Sequence, residues 1–269
     1  MPIHQRRIVA LGVTLLALLL FAAGHRQISS QLGHTSYYSG GTLLGCVLLL
    51  ALLGGRKRIP MLPLWRVATW TQIHIYTGLF AFAVYLFHVP RVVANGYFEG
   101  SLSWLFLGVG LSGFYGLYIS RVAPRKMNAV PGEFRFDRFP WHRQRLADRA
   151  SEILIGLEQT LASPVLAAFY RDSLRPYFSN RVPVAFLVVP TSMRRQRVLN
   201  GLRELDRYLC DRTRESAGQL AALIRKRDEL DFHYAMQLRL RMWIACHAVL
   251  STLLLAWCLV HVAMVLTFI

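Results

Sequence analysis

Five apolar runs constrain this chain more than any other feature. In a lipid core every backbone N–H and C=O must be satisfied inside the protein, so runs of this kind cross as helices. They occupy residues 8–23, 40–53, about 68–89, about 102–119 and 242–269. A crossing takes about 20 residues, so the first two are short, and Tyr37 and Tyr38 at the interface extend the second. Only 17% of the chain is charged and 54% is hydrophobic, against about 25% charged in a soluble domain. A purely soluble globule is therefore not expected. The expected fold is an all-α membrane protein with five transmembrane helices: four in residues 1–120, a mostly helical cytoplasmic domain over 121–241, and the fifth over 242–269.

The net charge of +17 comes from 31 Lys and Arg against 14 Asp and Glu. Such an excess also occurs in nucleic-acid binders, but its distribution here follows the membrane. If the N-terminus is inside, 29 basic residues fall inside and two, Arg26 and Arg91, outside. The short loops alone give six against two, and short loops set orientation. The expectation is a multi-pass protein of the bacterial inner membrane with a cytoplasmic N-terminus and a periplasmic C-terminus. A basic start before a 16-residue apolar run also has the form of a cleaved signal peptide, and the next segment keeps its direction either way.

Four of the nine histidines lie inside the apolar runs: His74 and His88 in the third, His247 and His261 in the fifth. Each pair is separated by 14 residues, which at about 100° per residue returns to within about 40° of the same face. The rise between them is about 21 Å, most of the hydrocarbon thickness. The third and fifth runs cross in the same direction, so His74 is expected beside His247 near the inner leaflet and His88 beside His261 near the outer. A lone intramembrane histidine is often an interhelical hydrogen-bonding group. Two facing pairs at equal spacing instead form two levels for bis-histidine axial ligation of two non-covalent b haems. Gly78, Gly108, Gly110, Gly113 and Gly116 would let a flat macrocycle lie against the backbone, or helices pack closely. Arg91, Arg66 and Arg241 are candidates for haem propionates. Glu99 is the sole carboxylate expected outside, and a solvated loop position is its simpler reading.

The stretches HIYTGLFAFAVYLFH, LSGFYGLYISRVAPRK and RMWIACHAVLSTLLLAWCLVH resemble the di-haem b-type membrane cytochromes. That family includes cytochrome b of the quinol-oxidising complexes, ferric-reductase-like transmembrane domains, and small bacterial b-type cytochromes that work with multihaem c-type cytochromes. The resemblance covers the last three runs and hardly touches the first two. It implies His74, His88, His247 and His261 as axial ligands and electron transfer across the membrane, without choosing donor or acceptor.

The 121–241 domain carries 23 basic and 13 acidic residues. Helices are expected over about 141–160, where Leu146, Ile153, Leu154, Leu157 and Leu161 fall at helical spacing, over 163–177, with Ser163 as cap, and from about Thr213 straight into the fifth run. The VPVAFLVVP segment at 182–190 reads as a buried strand or an extended crossing. No GxGxxG, Walker A run or cysteine cluster is present, so flavin, nicotinamide and iron–sulfur sites are not expected here. Nor does the domain carry a nucleic-acid motif; its charge suits anionic lipid. The functional expectation is an electron-transfer subunit of a quinol-linked oxidoreductase, working between the quinone pool and a periplasmic c-type cytochrome or other redox protein. Two alternatives stand beside it: a haem-containing transmembrane reductase fed by a separate cytoplasmic flavoprotein, and a haem-free scaffold or transporter.

Overall fold

The computed structural model describes residues 3–58, 66–89, 91–130, 132, 134–159 and 164–267. Among these residues every regular element is a helix and no strand occurs. The α-helices are α1 (Ile3–Ser30), α2 (Thr35–Arg58), α3 (Val67–His88), α4 (Tyr97–Asn128), α5 (Phe139–Gln159), α6 (Pro164–Phe169), α7 (Arg175–Ser179), α8 (Val184–Val188), α9 (Met193–Glu204) and α10 (Asp211–Thr267). A π-turn, Tyr170–Leu174, joins α6 to α7. The chain forms two compact units, Met1–Leu117 with Ile244–Ile269, and Tyr118–Trp243.

Among the described residues four helices are long and apolar enough to cross a membrane: α1, α2, α4 and α10. Helix α3, expected as a fifth, falls short on hydropathy alone. Its 22 residues include no Asp, Glu, Lys or Arg, but Thr69, Trp70, Thr71, Gln72, His74, Thr77 and His88 bring polar groups to it. Large apolar side chains on the qualifying helices face outward, among them Ile8, Leu19, Leu20, Leu111 and Leu266. So much exposed apolar surface on successive helices suits lipid as the surrounding solvent.

In the first unit, Phe21, Leu43, Cys46, Ala81, Val84 and Tyr85 form the core. The chain enters α2 through a Schellman turn: Gly33 N–H donates to the Ile28 carbonyl at 2.9 Å and Leu32 N–H to that of Ser29 at 3.2 Å. Leu32 occupies the left-handed position of that turn, with φ 56°. Side-chain contacts then fix helix directions. Arg6 bonds Thr69, and the Tyr76 hydroxyl bonds the Arg7 carbonyl; farther along, Phe21 meets Phe80 and Phe87. Helices α1 and α3 are therefore parallel. Helix α4 runs against α10, with Phe98 at His261, Ser101 at Trp257 and Ser112 at His247. Phe82 and Tyr85 against Phe106 set α3 and α4 side by side.

The second unit packs around Ala150, Leu166, Tyr170, Leu174, Tyr177, Phe178, Leu202, Leu209, Ala217, Leu220 and Ile224. Ala217, Leu220 and Ile224 lie at helical spacing on the first turns of α10. Leu146, Ile153 and Leu154 of α5 pack against this core as the periodicity predicts. The Leu157 and Leu161 side chains, Thr160, and Ser163, the expected cap, lie outside the described residues. Two expectations are corrected. The 163–177 helix is interrupted by the π-turn, and VPVAFLVVP is neither strand nor extended crossing, because its centre is the five-residue helix α8. Its short length between Pro183 and Pro190 suits one helical turn, proline having a fixed φ and no N–H to give. Helix α10 runs 57 residues without a break.

Candidate functional site

His74, His88, His247 and His261 fall in two groups within the first unit. His74 on α3 and His247 on α10 have ring centroids 6.3 Å apart, with ring planes at 75°. Two imidazoles on opposite sides of one metal ion, each bonded at about 2.0–2.1 Å, have centroids about 6.3–6.5 Å apart. The observed separation matches that value. Fourteen residues along both helices, His88 and His261 line one cavity of about 850 Å³, within the range of small-molecule and cofactor sites of about 300–1,000 Å³. His74 lies by His247 and His88 by His261, so α3 and α10 run in the same direction, as expected for the third and fifth runs.

Each level holds one histidine by the same local device. Ser39 Oγ lies 2.9 Å from His88 Nδ1, and Ser112 Oγ lies 2.5 Å from His247 Nδ1. A hydroxyl has one proton to give. Ser39 donates its own to the Thr35 carbonyl at 2.9 Å, and Ser112 to that of Val109 at 3.0 Å. Each serine then accepts from the Nδ1–H of its histidine, which puts the ring's lone pair on Nε2. That is how hydrogen-bond partners outside the coordination sphere fix a ligating tautomer. The following residue is glycine in both cases. A Cβ at Gly40 would stand 3.1 Å from His88 Cε1, and one at Gly113 3.8 Å from His247 Cε1, so Gly40 in particular lets α2 approach the ring. His261 is seated differently: Phe98 stacks over it at 6.2 Å and 19°, and also over Trp257, whose indole N–H bonds Ser101.

The other sequence candidates divide. A Cβ at Gly78 or Gly108 would meet nothing within 4 Å, while Gly110 packs on Phe82. Arg91 lines the His88 cavity. Glu99 is on its wall as well, in the first turn of α4 and not in a loop. Arg241 lays its guanidinium 4.1 Å from the Phe136 ring centroid within the second unit, and Arg66 stands exposed before α3. Sequence reasoning missed Ser39, Ser112 and Phe98, and passed over His34, which lines the cavity. The recurring Ser-Gly dipeptide, once at the start of α2 and once inside GVGLSGFYG, was the available signal.

Among the described residues no cluster of three or more His, Cys, Asp or Glu forms a metal site. Two imidazoles per level are too few for a tetrahedral site of four protein ligands, but two would be enough for a macrocycle that brings its own four nitrogens to its metal. The residues present therefore fit haem. No known protein family, curated protein or solved structure matches the chain.

Proposed function

We propose that this chain is a multi-pass electron-transfer subunit of the bacterial inner membrane, holding two b haems, one between His74 and His247 and one between His88 and His261. The observation that carries the reading is the 6.3 Å separation of the His74 and His247 rings across two parallel helices. A haem iron with both axial positions filled supplies one-electron transfer without binding oxygen. The chain's own residues do the rest. Ser39 and Ser112 hold the tautomer, α3 and α10 set the two levels about 21 Å apart, and Arg91 offers a cation to an acidic group in the His88 cavity.

In this reading α3 is the fifth crossing. Its polar side chains include two of the proposed ligands, and its lack of charge permits the span. The N-terminus and the Tyr118–Trp243 unit are cytoplasmic and the C-terminus periplasmic, following the basic residues. Donor and acceptor are the quinone pool and a periplasmic redox protein such as a multihaem c-type cytochrome, the His88 level facing that partner.

A dithionite-reduced minus oxidised spectrum of the purified protein, with haem counted per polypeptide, tests the proposal. Two non-covalent b haems are expected, with one lost on His74→Ala or His247→Ala and the other kept. Protein without haem, purified from haem-replete cells, overturns it.

A further inference from the structure

The segment 182–190 is placed in an unusual way. Helix α8 leaves Val184 at 75% exposure and Val188 at 65%; Val189 follows at 61%, and Met193 at 64% begins α9. Isolated exposed valines need no explanation, but Val184 and Val188, four apart on one turn, share a helix face, and Val189 follows directly. Its position is fixed by Arg239 of α10. The Arg239 guanidinium donates to the Leu187 carbonyl at 2.7 Å and also to that of Val188, carbonyls that the end of a one-turn helix leaves without intrahelical partners. Arg239 stands less than one turn before Met242, where the longest apolar run of the chain starts. The apolar turn is thus tied to the level at which α10 passes from polar to apolar sequence.

The charge around it is one-sided. Between Asp172 and Glu204 the chain has six arginines and no carboxylate. Arg194 and Arg195 are engaged inside the unit, with the Tyr177 carbonyl and Asp228. Arg175, Arg181, Arg197 and Arg203 remain exposed. An exposed apolar turn in a segment whose exposed charges are all arginine has the composition of a surface that lies in the headgroup region of an anionic leaflet.

We infer that Val184–Val188 and Val189 form an interfacial anchor that inserts into the anionic lipid surface where α10 enters the membrane. The inference rests on α10 being a crossing helix and is independent of haem. The anchor ties the Tyr118–Trp243 unit to the bilayer at a point besides its two helical connections, α4 and α10.

The test uses the full-length protein in vesicles of phosphatidylcholine alone or mixed with phosphatidylglycerol. A carbene precursor that partitions into the bilayer is activated, and labelled peptides are identified by mass spectrometry. Peptides containing 184–189 should be labelled severalfold above an internal control such as 217–224, and more strongly with phosphatidylglycerol. Val188→Asp should lower labelling of that peptide severalfold while leaving the 249–264 peptide unchanged. If 249–264 is labelled and 184–189 is not, the anchor is overturned and the crossing stands. If neither is labelled, the crossing fails and the anchor with it. If 184–189 is unlabelled and protected from hydrogen exchange only at high protein concentration, a second copy covers it, which also overturns the lipid assignment.

Discussion

At the scale of single residues, the two Ser-Gly pairs make the sharpest claim. Partners that orient a metal-bound imidazole typically alter affinity or activity by about 10–100-fold when removed. If the two levels hold the proposed haems, Ser112→Ala weakens haem retention at the His74–His247 level by about that factor, and Ser39→Ala at the His88–His261 level. Each should shift the midpoint potential of its own haem and leave the other in place, as redox titration of the purified variants would read. A serine that only packs would move neither potential. In the second unit the equivalent residue is Asp231. It accepts from Arg227, itself 1% exposed, at 3.0 Å and from Arg143 at 3.1 Å. Asp231→Ala leaves that arginine buried without its counter-ion, a loss of about 3–5 kcal/mol. Loss of helicity at markedly lower denaturant concentration would register it.

Tyr177 adds a pH dependence to the same core. Its hydroxyl donates to the Ile224 carbonyl at 3.3 Å. Burial first, then the nearby Asp228 and Asp231, push the phenol above its ordinary value of 10.0. The folded state therefore keeps a proton that the unfolded chain releases, and stability falls as pH rises above about 10. It is fully present below that pH. Tyr177→Phe has no such proton and should lose less stability between neutral and alkaline pH than the native protein. Equal slopes in alkaline denaturation followed by circular dichroism would contradict this.

At the scale of elements, periodicity made much of the fold legible. The α10 helix shows no proline or glycine break after Gly218, and it is one helix to Thr267. The helical spacing of Leu146, Ile153 and Leu154 likewise marks the buried face of α5. What misled was a short apolar run between prolines, since 182–190 has the composition of a buried strand and its exposure depends on Arg239, far along the chain. The histidine spacing was legible because 14 residues close on one face. Ser39 was not, because its link to His88 depends on how α2 lies against α3. The turn between α1 and α2 could not be read at all: Leu32 sits at φ 56° where glycine is usual. Its side chain is 94% exposed and contributes little packing. Leu32→Gly removes a left-handed strain of about 1–2 kcal/mol, partly offset by glycine's greater freedom when unfolded. A modest rise in melting temperature is expected, and a fall would mean that Leu32 makes a contact with lipid worth more than the strain.

At the scale of the whole molecule, direction ties the parts together. With α1, α3 and α10 parallel and α4 opposed to α10, the segment between α3 and α4 emerges on the face opposite to the start of α1. Only Arg91 is basic in residues 89–96, whereas the polar unit carries 23 basic residues. Moving that charge outward would oppose both the positive-inside bias and the attraction of the anionic cytoplasmic leaflet, about 1 kcal/mol per Lys or Arg at the surface. A cysteine at Asn95 should therefore react with a membrane-impermeant thiol reagent in right-side-out spheroplasts, and one at Glu215 only after permeabilisation. Both positions are exposed, so failure to react reports sidedness and not burial. The background must lack Cys210, which is exposed on the same side as Glu215. Reaction of both in intact spheroplasts would remove α4 as a crossing, and the antiparallel α4–α10 contacts at His247 and His261 would then belong to a bundle lying outside the bilayer. Reaction at Asn95 alone keeps an odd number of crossings between Asn95 and Glu215, which the proposed pair of histidine levels in series across the membrane requires.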